Sequence, residues 1–185
     1  MSEPKKKLKI GVLGCSRVST KYFFPYVDSS EFVDVGFIGS RSLEKAQQFS
    51  KDYGIPKFGN YDDVINSDVD IVYISLPVSM HEEWSIKAAE SGKHVLCEKT
   101  STTSYESAKK ILDACKKNNV RILEAFAFRF HPQHTIVKNF IDNELGEINN
   151  FYGIFGFSPP NENDIRWQKK LGGGVLNDVT CYPIC

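Results

Sequence analysis

Two short stretches carry side chains suited to moving a proton and stabilising charge. Cys97-Glu98-Lys99 ends an apolar, strand-like run, and Gly172-Gly173-Gly174-Val175-Leu176-Asn177-Asp178 leads to Tyr182. A phenol can exchange a proton with a carbonyl oxygen, but its ordinary pKa of about 10 calls for a nearby cation to stabilise the phenolate near neutrality. Lys99 is the cation this reading pairs with Tyr182. The glycine triplet lets backbone approach a flat ligand, and a helix begun there sets Asp178 and Tyr182 at i and i+4, facing one cleft. Asp178 then either orients the lysine or hydrogen-bonds a substrate hydroxyl. Outside such a site, Tyr182 reads as a core aromatic and Asp178 as a local cap.

The beginning of the chain supplies the context. Lys9-Ile10-Gly11-Val12-Leu13-Gly14 reads as a buried strand running into a glycine turn, followed by the series Gly14-x-Ser16-x-x-Ser19. In a dinucleotide fingerprint the first glycine makes the turn, the second lets backbone approach pyrophosphate, and the third admits close helix packing. Serine is small enough for the last two places, and Ser16 adds a hydroxyl. Arg17 and Val18 open the helix, which Pro25 is expected to kink. The second strand should end at Gly39-Ser40-Arg41-Ser42. There the Arg41 guanidinium would hold a 2′-phosphate, with Ser40 and Ser42 as hydroxyl donors, which favours NADP with NAD as the other possibility. Asp34 is the right number of residues from Gly14 to bind a ribose, but it begins its strand and so faces the wrong end of the sheet. The competing reading leaves Arg41 solvated on a helix-leading loop.

Dinucleotide, lysine and tyrosine must be brought together by a regular framework. Residues 33–40, 71–75, 94–97 and 120–125 are short apolar runs bounded by turn signals, as in parallel strands buried on both faces. Between them, Leu43, Ala46 and Phe49 recur at helical spacing, as do Trp84, Ala88 and Ala89 before a capping Gly92. Thr103 and Glu106 form a capping-box signature ahead of Ala108, Ile111, Leu112 and Cys115. The fold class is therefore α/β: a doubly wound parallel Rossmann sheet over residues 1–125. From Phe126 the rhythm changes. Phe126, Phe128 and Phe130 alternate, a helix is predicted near Pro132, and 148–157 reads as a long aromatic strand. Residues 126–185 are expected to be the start of a second α/β domain whose sheet lacks neighbours, so that the chain is either a fragment or a short variant needing a partner.

Composition bounds the possibilities. The 185 residues are 41% hydrophobic and 25% charged, enough for a folded core, and 23 basic residues balance 23 acidic ones. With no net field, neither nucleic acid nor an anionic membrane is an expected partner. Cysteines at 15, 97, 115, 181 and 185 show neither Cys-x-x-Cys spacing nor a disulfide framework, which fits a cytoplasmic protein, and no metal is expected. Lys5-Lys6-Lys7 precedes an apolar run broken at Gly11 and Gly14, so it reads as a solvated lead-in rather than a signal segment.

In combination these residues resemble the glucose-fructose oxidoreductase and inositol dehydrogenase family, Gfo/Idh/MocA. The marks are Gly11-Val12-Leu13-Gly14-Cys15, Ser75-Leu76-Pro77 with His81, Gly92-Lys93-His94-Val95-Leu96-Cys97-Glu98-Lys99, Glu124-Ala125-Phe126, Phe130-His131-Pro132-Gln133, and the triplet through Asp178 and Tyr182. Asp164-Ile165-Arg166-Trp167 and Tyr182-Pro183-Ile184 look nearest to NADP-linked ketoreductases of nucleotide-activated deoxyhexoses. The resemblance implies a second domain with an open, mostly antiparallel sheet for substrate and homo-oligomer contacts. It implies Tyr182 as general acid or base, and Lys99 touching substrate and nicotinamide ribose. Gly11, Gly14, Cys15, Ser75, Leu76, His81 and Glu98 would line the cofactor cleft, with Arg166 reaching it from the second domain. His81 reads equally well as a polar residue opening a helix, and His131 and His134 as turn-stabilising residues. Thr100 stands where the family usually has proline, often after a cis peptide, and Thr180 where it usually has glycine. The expected activity is hydride transfer between nicotinamide and a sugar or nucleotide-sugar ketone or alcohol. The alternative is a non-catalytic NAD(P)-binding regulator of the same family.

Overall fold

The computed structural model describes residues 6–158 and 161–184, in two units that meet in sequence between Glu124 and Ala125. The first unit contains β1 (Leu8–Leu13), β2 (Val33–Gly39), β3 (Lys57–Gly59), β4 (Ile71–Ile74), β5 (His94–Cys97) and β6 (Ile122–Glu124). Every neighbouring pair is parallel, in the order β3-β2-β1-β4-β5-β6. The doubly wound parallel sheet expected from the alternating pattern is present.

The strands' alternation sorts their side chains onto two apolar layers. Leu13, Phe37, Val72, Ile74, Val95 and Cys97 join Trp84 and Ala88 on one face. Ile10, Val12, Ile38 and Tyr73 join Phe24 and Ile55 on the other. The helices are α1 (Phe24–Val27), α2 (Leu43–Asp52), α3 (Tyr61–Ile65), α4 (His81–Glu90) and α5 (Tyr105–Lys117). Along α5, Ser107, Ile111 and Cys115 form a buried stripe at intervals of four, and Ile111 and Cys115 pack on Ala89 of α4. Gly92, at φ 73°, lets the chain leave α4 as anticipated.

Several local expectations need correction. The sequence patterns missed β3 and α3, because a three-residue strand and a five-residue helix are too short to show periodicity. Ser104, not Thr103, caps α5: its hydroxyl accepts the Ser107 N–H at 3.1 Å, and Ser104 is the residue with extended backbone. Pro25 sits in the first turn of α1, where its missing N–H costs nothing, after a wider π-type turn at Ser19–Phe23, so it opens a helix rather than kinking one. Leu43 is exposed and only Ala46 of α2 is fully buried. β6 lies at the sheet edge and Leu123 is exposed, so that strand is not buried on both faces.

The second unit carries α6 (Gln133–Phe140) and α7 (Cys181–Ile184) with short 3₁₀ and π-type turns. Among its described residues there is no strand: 148–157 is irregular, with Phe151, Tyr152 and Ile154 exposed. Aromatic alternation is a strand signal only when neighbouring strands satisfy the backbone, and the described residues of this unit supply none. The expected antiparallel sheet is therefore not seen. No helix among the described residues is long and apolar enough to cross a membrane. Cys15, Cys97 and Cys115 are buried free thiols, and Cys185 lies outside the described residues.

Two stability predictions arise here. A Cβ on Gly11, in the middle of β1, would sit 2.5 Å from Val64 Cγ1 and 3.0 Å from Val69 Cγ2. Gly11→Ala should therefore cost about 1–3 kcal/mol by overpacking, read by urea unfolding. A cycle with Val64→Ala should show strong coupling; simple additivity would place the cost elsewhere. At the opposite end of the sheet, Lys9 and Lys57 pair with Asp68 at 2.6 and 3.2 Å and hold its exposed carboxyl well below the usual carboxylate range. A depressed folded-state pKa means that the unfolded chain binds the extra proton in acid. The small Tm advantage over Asp68→Asn should persist above about pH 5 and shrink steadily as pH falls below about 4.

Candidate functional site

Register decides where the site lies. Leu13 pairs with Gly39 and Ile74, Gly39 with Gly59, Ile74 with Cys97, and Cys97 with Glu124. The residues at the carboxyl ends of all six strands thus form one row. Immediately beyond it come Gly14, Ser40, Ser75 and Glu98, so residues scattered over 85 positions share one edge. Chain connections leave β1 toward β2 on one side and return through β4 on the other, which opens a crevice between β1 and β4.

Gly14 begins that crevice at φ 105°, and a Cβ there would lie 3.0 Å from Ser75 Oγ and from Leu76 Cδ2. Only glycine satisfies both the backbone and the space. Ser16 and Ser19 then cross-bond: Ser16 N–H donates to Ser19 Oγ at 3.2 Å, and Ser19 N–H to Ser16 Oγ at 3.0 Å. Ser19 is fully buried, filling the place of the third fingerprint glycine, while Arg17 is exposed and Ser16 and Val18 are half-buried at the turn. This open backbone cradle, leading into a helical segment, fits a dinucleotide's pyrophosphate.

The neighbouring positions divide into those that face the crevice and those that hold it. Gly11 lies inside β1 against Val64, so its missing side chain serves packing and not cofactor approach. The Cys15 thiol is buried and turned to the Lys45 carbonyl at 3.8 Å, and burial pushes its pKa up. Ser75 Oγ donates to the carbonyls of Leu13 and Gly14 at 3.0 and 3.1 Å, closing the crevice floor beside buried Leu76. Glu98 turns inward and accepts from Tyr73 Oη at 2.7 Å; burial raises its pKa. His81 is 1% exposed, with Nδ1 2.9 Å from the Thr100 carbonyl and Nε2 2.8 Å from that of Leu76. Both ring nitrogens thus face main chain, and burial pulls the imidazole's pKa below its ordinary value. The Lys99–Thr100 peptide is cis.

At the end of β2, Ser40 is buried and Arg41 exposed. Ser42 caps α2 by accepting the Lys45 N–H at 3.2 Å, which leaves its own hydroxyl proton to donate. Asp34 pairs with Lys7 at the far end of the strand, 2.9 Å away, as its position in the sequence indicated. The missed β3–α3 segment contributes Tyr61, whose phenol pKa is pushed up by burial against the lowering effect of the nearby Arg41 charge, and whose ring meets Trp84 edge-on at 5.1 Å. Asn60 and Asp63 form a capping box that starts α3 there. That Asn-x-x-Asp spacing after a glycine was the available signal.

In the second unit, Arg166 Nε donates to Asp178 Oδ2 at 2.7 Å and Nη1 to Asp164 Oδ1 at 3.1 Å. Asp178 is thus the partner of Arg166, an ion pair the sequence reading did not foresee. A cavity of about 210 Å³ is lined by both, with Phe155, Phe157, Trp167 and Val175. The ring of Tyr182 instead packs with Phe155, Phe128 and Phe126, at centroid distances of 4.6, 5.5 and 6.4 Å. Asp178 lies in the π-type turn Leu176–Thr180 and Tyr182 in α7, and the two side chains take different neighbours. Gly173 lies against the Arg166 backbone, where a Cβ would meet the carbonyl oxygen at 2.5 Å. The middle glycine therefore serves packing within this unit rather than approach to a flat ligand. His131 Nδ1 accepts the Gln133 N–H at 3.2 Å, stabilising a turn.

A parallel sheet with a glycine cradle at its β1/β4 crevice and a cation beside the strand ends defines a dinucleotide-binding domain of the kind found in oxidoreductases. Residues 8–126 match the model of the oxidoreductase family with an NAD-binding Rossmann fold. The chain belongs to this family, Gfo/Idh/MocA. A dTDP-3,4-didehydro-2,6-dideoxy-α-D-glucose 3-reductase from Actinomadura kijaniata is 34% identical over 179 residues, 96% of this chain and 54% of the relative. A D-xylose 1-dehydrogenase (NADP(+)) from Haloferax volcanii is 35% identical over 180 residues, 96% of this chain and 55% of the relative. Among solved structures, the 3-ketoreductase KijD10 from Actinomadura kijaniata, in complex with NADP and TDP-benzene, superposes with a TM-score of 0.92 at 34% identity. That match covers 97% of this chain and 56% of KijD10. The chain spans about half the length of the curated relatives it matches.

Proposed function

We propose that the protein is an NADP-linked oxidoreductase that interconverts a ketone and a secondary alcohol on a sugar, with a nucleotide-linked deoxyhexose as the first candidate. The reading is carried by one observation: the strand-end row sets the Gly14 cradle, Ser40-Arg41 and the Glu98-Lys99 segment along a single edge. Bound there, the nicotinamide supplies the hydride that the carbonyl carbon accepts. Tyr182 gives its phenolic proton to the carbonyl oxygen, completing the alcohol, and regains a proton from water. Lys99 places its ammonium near that oxygen, stabilising both the charge developing on it and the phenolate left behind. Arg166 is held by Asp164 and Asp178, so this pair fixes its guanidinium before ligand arrives.

The relatives' names point to two substrate classes at nearly equal identity. Turnover is followed as nicotinamide absorbance with dTDP-3,4-didehydro-2,6-dideoxy-α-D-glucose and NADPH, and with D-xylose and NADP⁺. Conversion of the first supports the reading in full, and conversion of the second alone redirects the substrate assignment. Binding of NADPH without conversion of either sugar would overturn the catalytic role.

Cofactor choice has its own test. A charge-assisted contact contributes about 1.5–3 kcal/mol, so Arg41→Ala should weaken NADPH binding by about tenfold to a hundredfold. NADH binding should change by less than about threefold, since it lacks the 2′-phosphate. Competitive titration of the two measures both, and equal losses would show that Arg41 does not select phosphate.

A further inference from the structure

Glu124 was singled out in the sequence as part of Glu124-Ala125-Phe126, yet nothing in the proposed chemistry uses it. It closes β6, in the row beside Cys97, and its Oε1 accepts the Ser101 N–H at 2.7 Å across 23 residues of sequence. His81 approaches the Thr100 carbonyl at 2.9 Å from the first turn of α4, and its other nitrogen meets Leu76. On the preceding side, Tyr73 Oη donates to the Glu98 carboxylate at 2.7 Å. The segment carrying Lys99 is thus held before and after the lysine by side chains from β4, α4 and β6. Loops at strand ends otherwise move more than the sheet beneath them.

We propose that Glu124 and His81 are positioning residues: they clamp the backbone just after Lys99 and so fix where its ammonium is delivered. The inference rests on the proposed role of Lys99. Neither residue donates a proton or charge to the reacting atoms; each acts through the Thr100–Ser101 backbone. Displacing a catalytic group by about 1 Å can cost as much as a hundredfold in rate. The clamp should therefore appear in kcat and leave cofactor affinity nearly unchanged.

The test compares two replacements of similar size in the protein. Glu124→Met removes the acceptor, whereas Glu124→Gln retains an amide oxygen that can accept the Ser101 N–H. With the dTDP-linked ketosugar as probe, Glu124→Met should lower kcat by about tenfold or more, with NADPH affinity within about threefold. Glu124→Gln should recover most of the loss. A second readout is independent of turnover: the rate of reductive methylation of Lys99, followed by peptide mass spectrometry without substrate. It should change in Glu124→Met and return toward the parent's in Glu124→Gln. Should circular dichroism show that the methionine variant does not fold, His81→Leu against His81→Gln makes the same comparison on the other arm. Equal kcat and equal Lys99 labelling in parent and Glu124→Met, or an equal fall in the Met and Gln variants, would overturn the clamp. If Lys99→Ala is itself fully active, it is the role of Lys99 that fails, and the labelling result still decides whether Glu124 fixes the segment.

Discussion

A Lys99→Ala protein is expected to lose about a hundredfold to a thousandfold in turnover and to bind its sugar substrate more weakly. The ammonium is asked to do two jobs in the proposed step: to stabilise charge on the carbonyl oxygen as hydride arrives, and to favour the phenolate of Tyr182. Removing a single preorganised group that faces developing charge costs about that much in other enzymes. Folding should survive, because the segment is held by its neighbours' side chains and main chain: Tyr73 on Glu98, His81 on Thr100 and Glu124 on Ser101. Unfolding in urea and NADPH titration therefore serve as controls. A variant that keeps wild-type kcat and KM would reduce Lys99 to a structural residue.

Tyr182→Phe is the sharper change, since it deletes one oxygen and leaves the ring. That ring is packed by Phe155 at 4.6 Å and Phe128 at 5.5 Å, so the phenylalanine has the same neighbours to occupy. The expected result is a fall in kcat of about a hundredfold to ten-thousandfold, the range of a general acid, with NADPH binding nearly intact. In the proposed step the hydroxyl acts on the reacting oxygen, so kcat and kcat/KM should fall together. Turnover equal to the parent's would transfer the proton to another group.

How much of this was legible in advance can be traced residue by residue. The glycine turn at Gly14, the small residues at 16 and 19 and the helix cap at Gly92 were readable because each meets a local steric demand. Ser104 displaced Thr103 as the cap because capping depends on which residue adopts extended backbone, a choice that neighbouring packing makes. Gly11 belongs to a recognisable motif, but its function is packing against Val64, from a helix the patterns did not reveal. Asp178 could be assigned several jobs from its type; the partner it takes, Arg166 at 2.7 Å, lies twelve residues away. The strand expected over 148–157 failed because a strand is stabilised by its neighbours, and alternation alone cannot supply them.

By itself the sequence determined the repeating β-α order, the turn that admits a dinucleotide, and the residue types able to carry charge and protons. Those are consequences of side-chain volume, backbone freedom and periodicity, which act over a few residues. Only the tertiary structure decided which of those residues share an edge. Strand order and register bring 14, 40, 75 and 98 to one edge, just beyond a row that ends at Glu124, and they let this carboxylate on the outermost strand reach the loop that carries Lys99. Contacts between residues far apart in the chain are set by how strands pair and helices cover them, and local patterns do not encode that pairing.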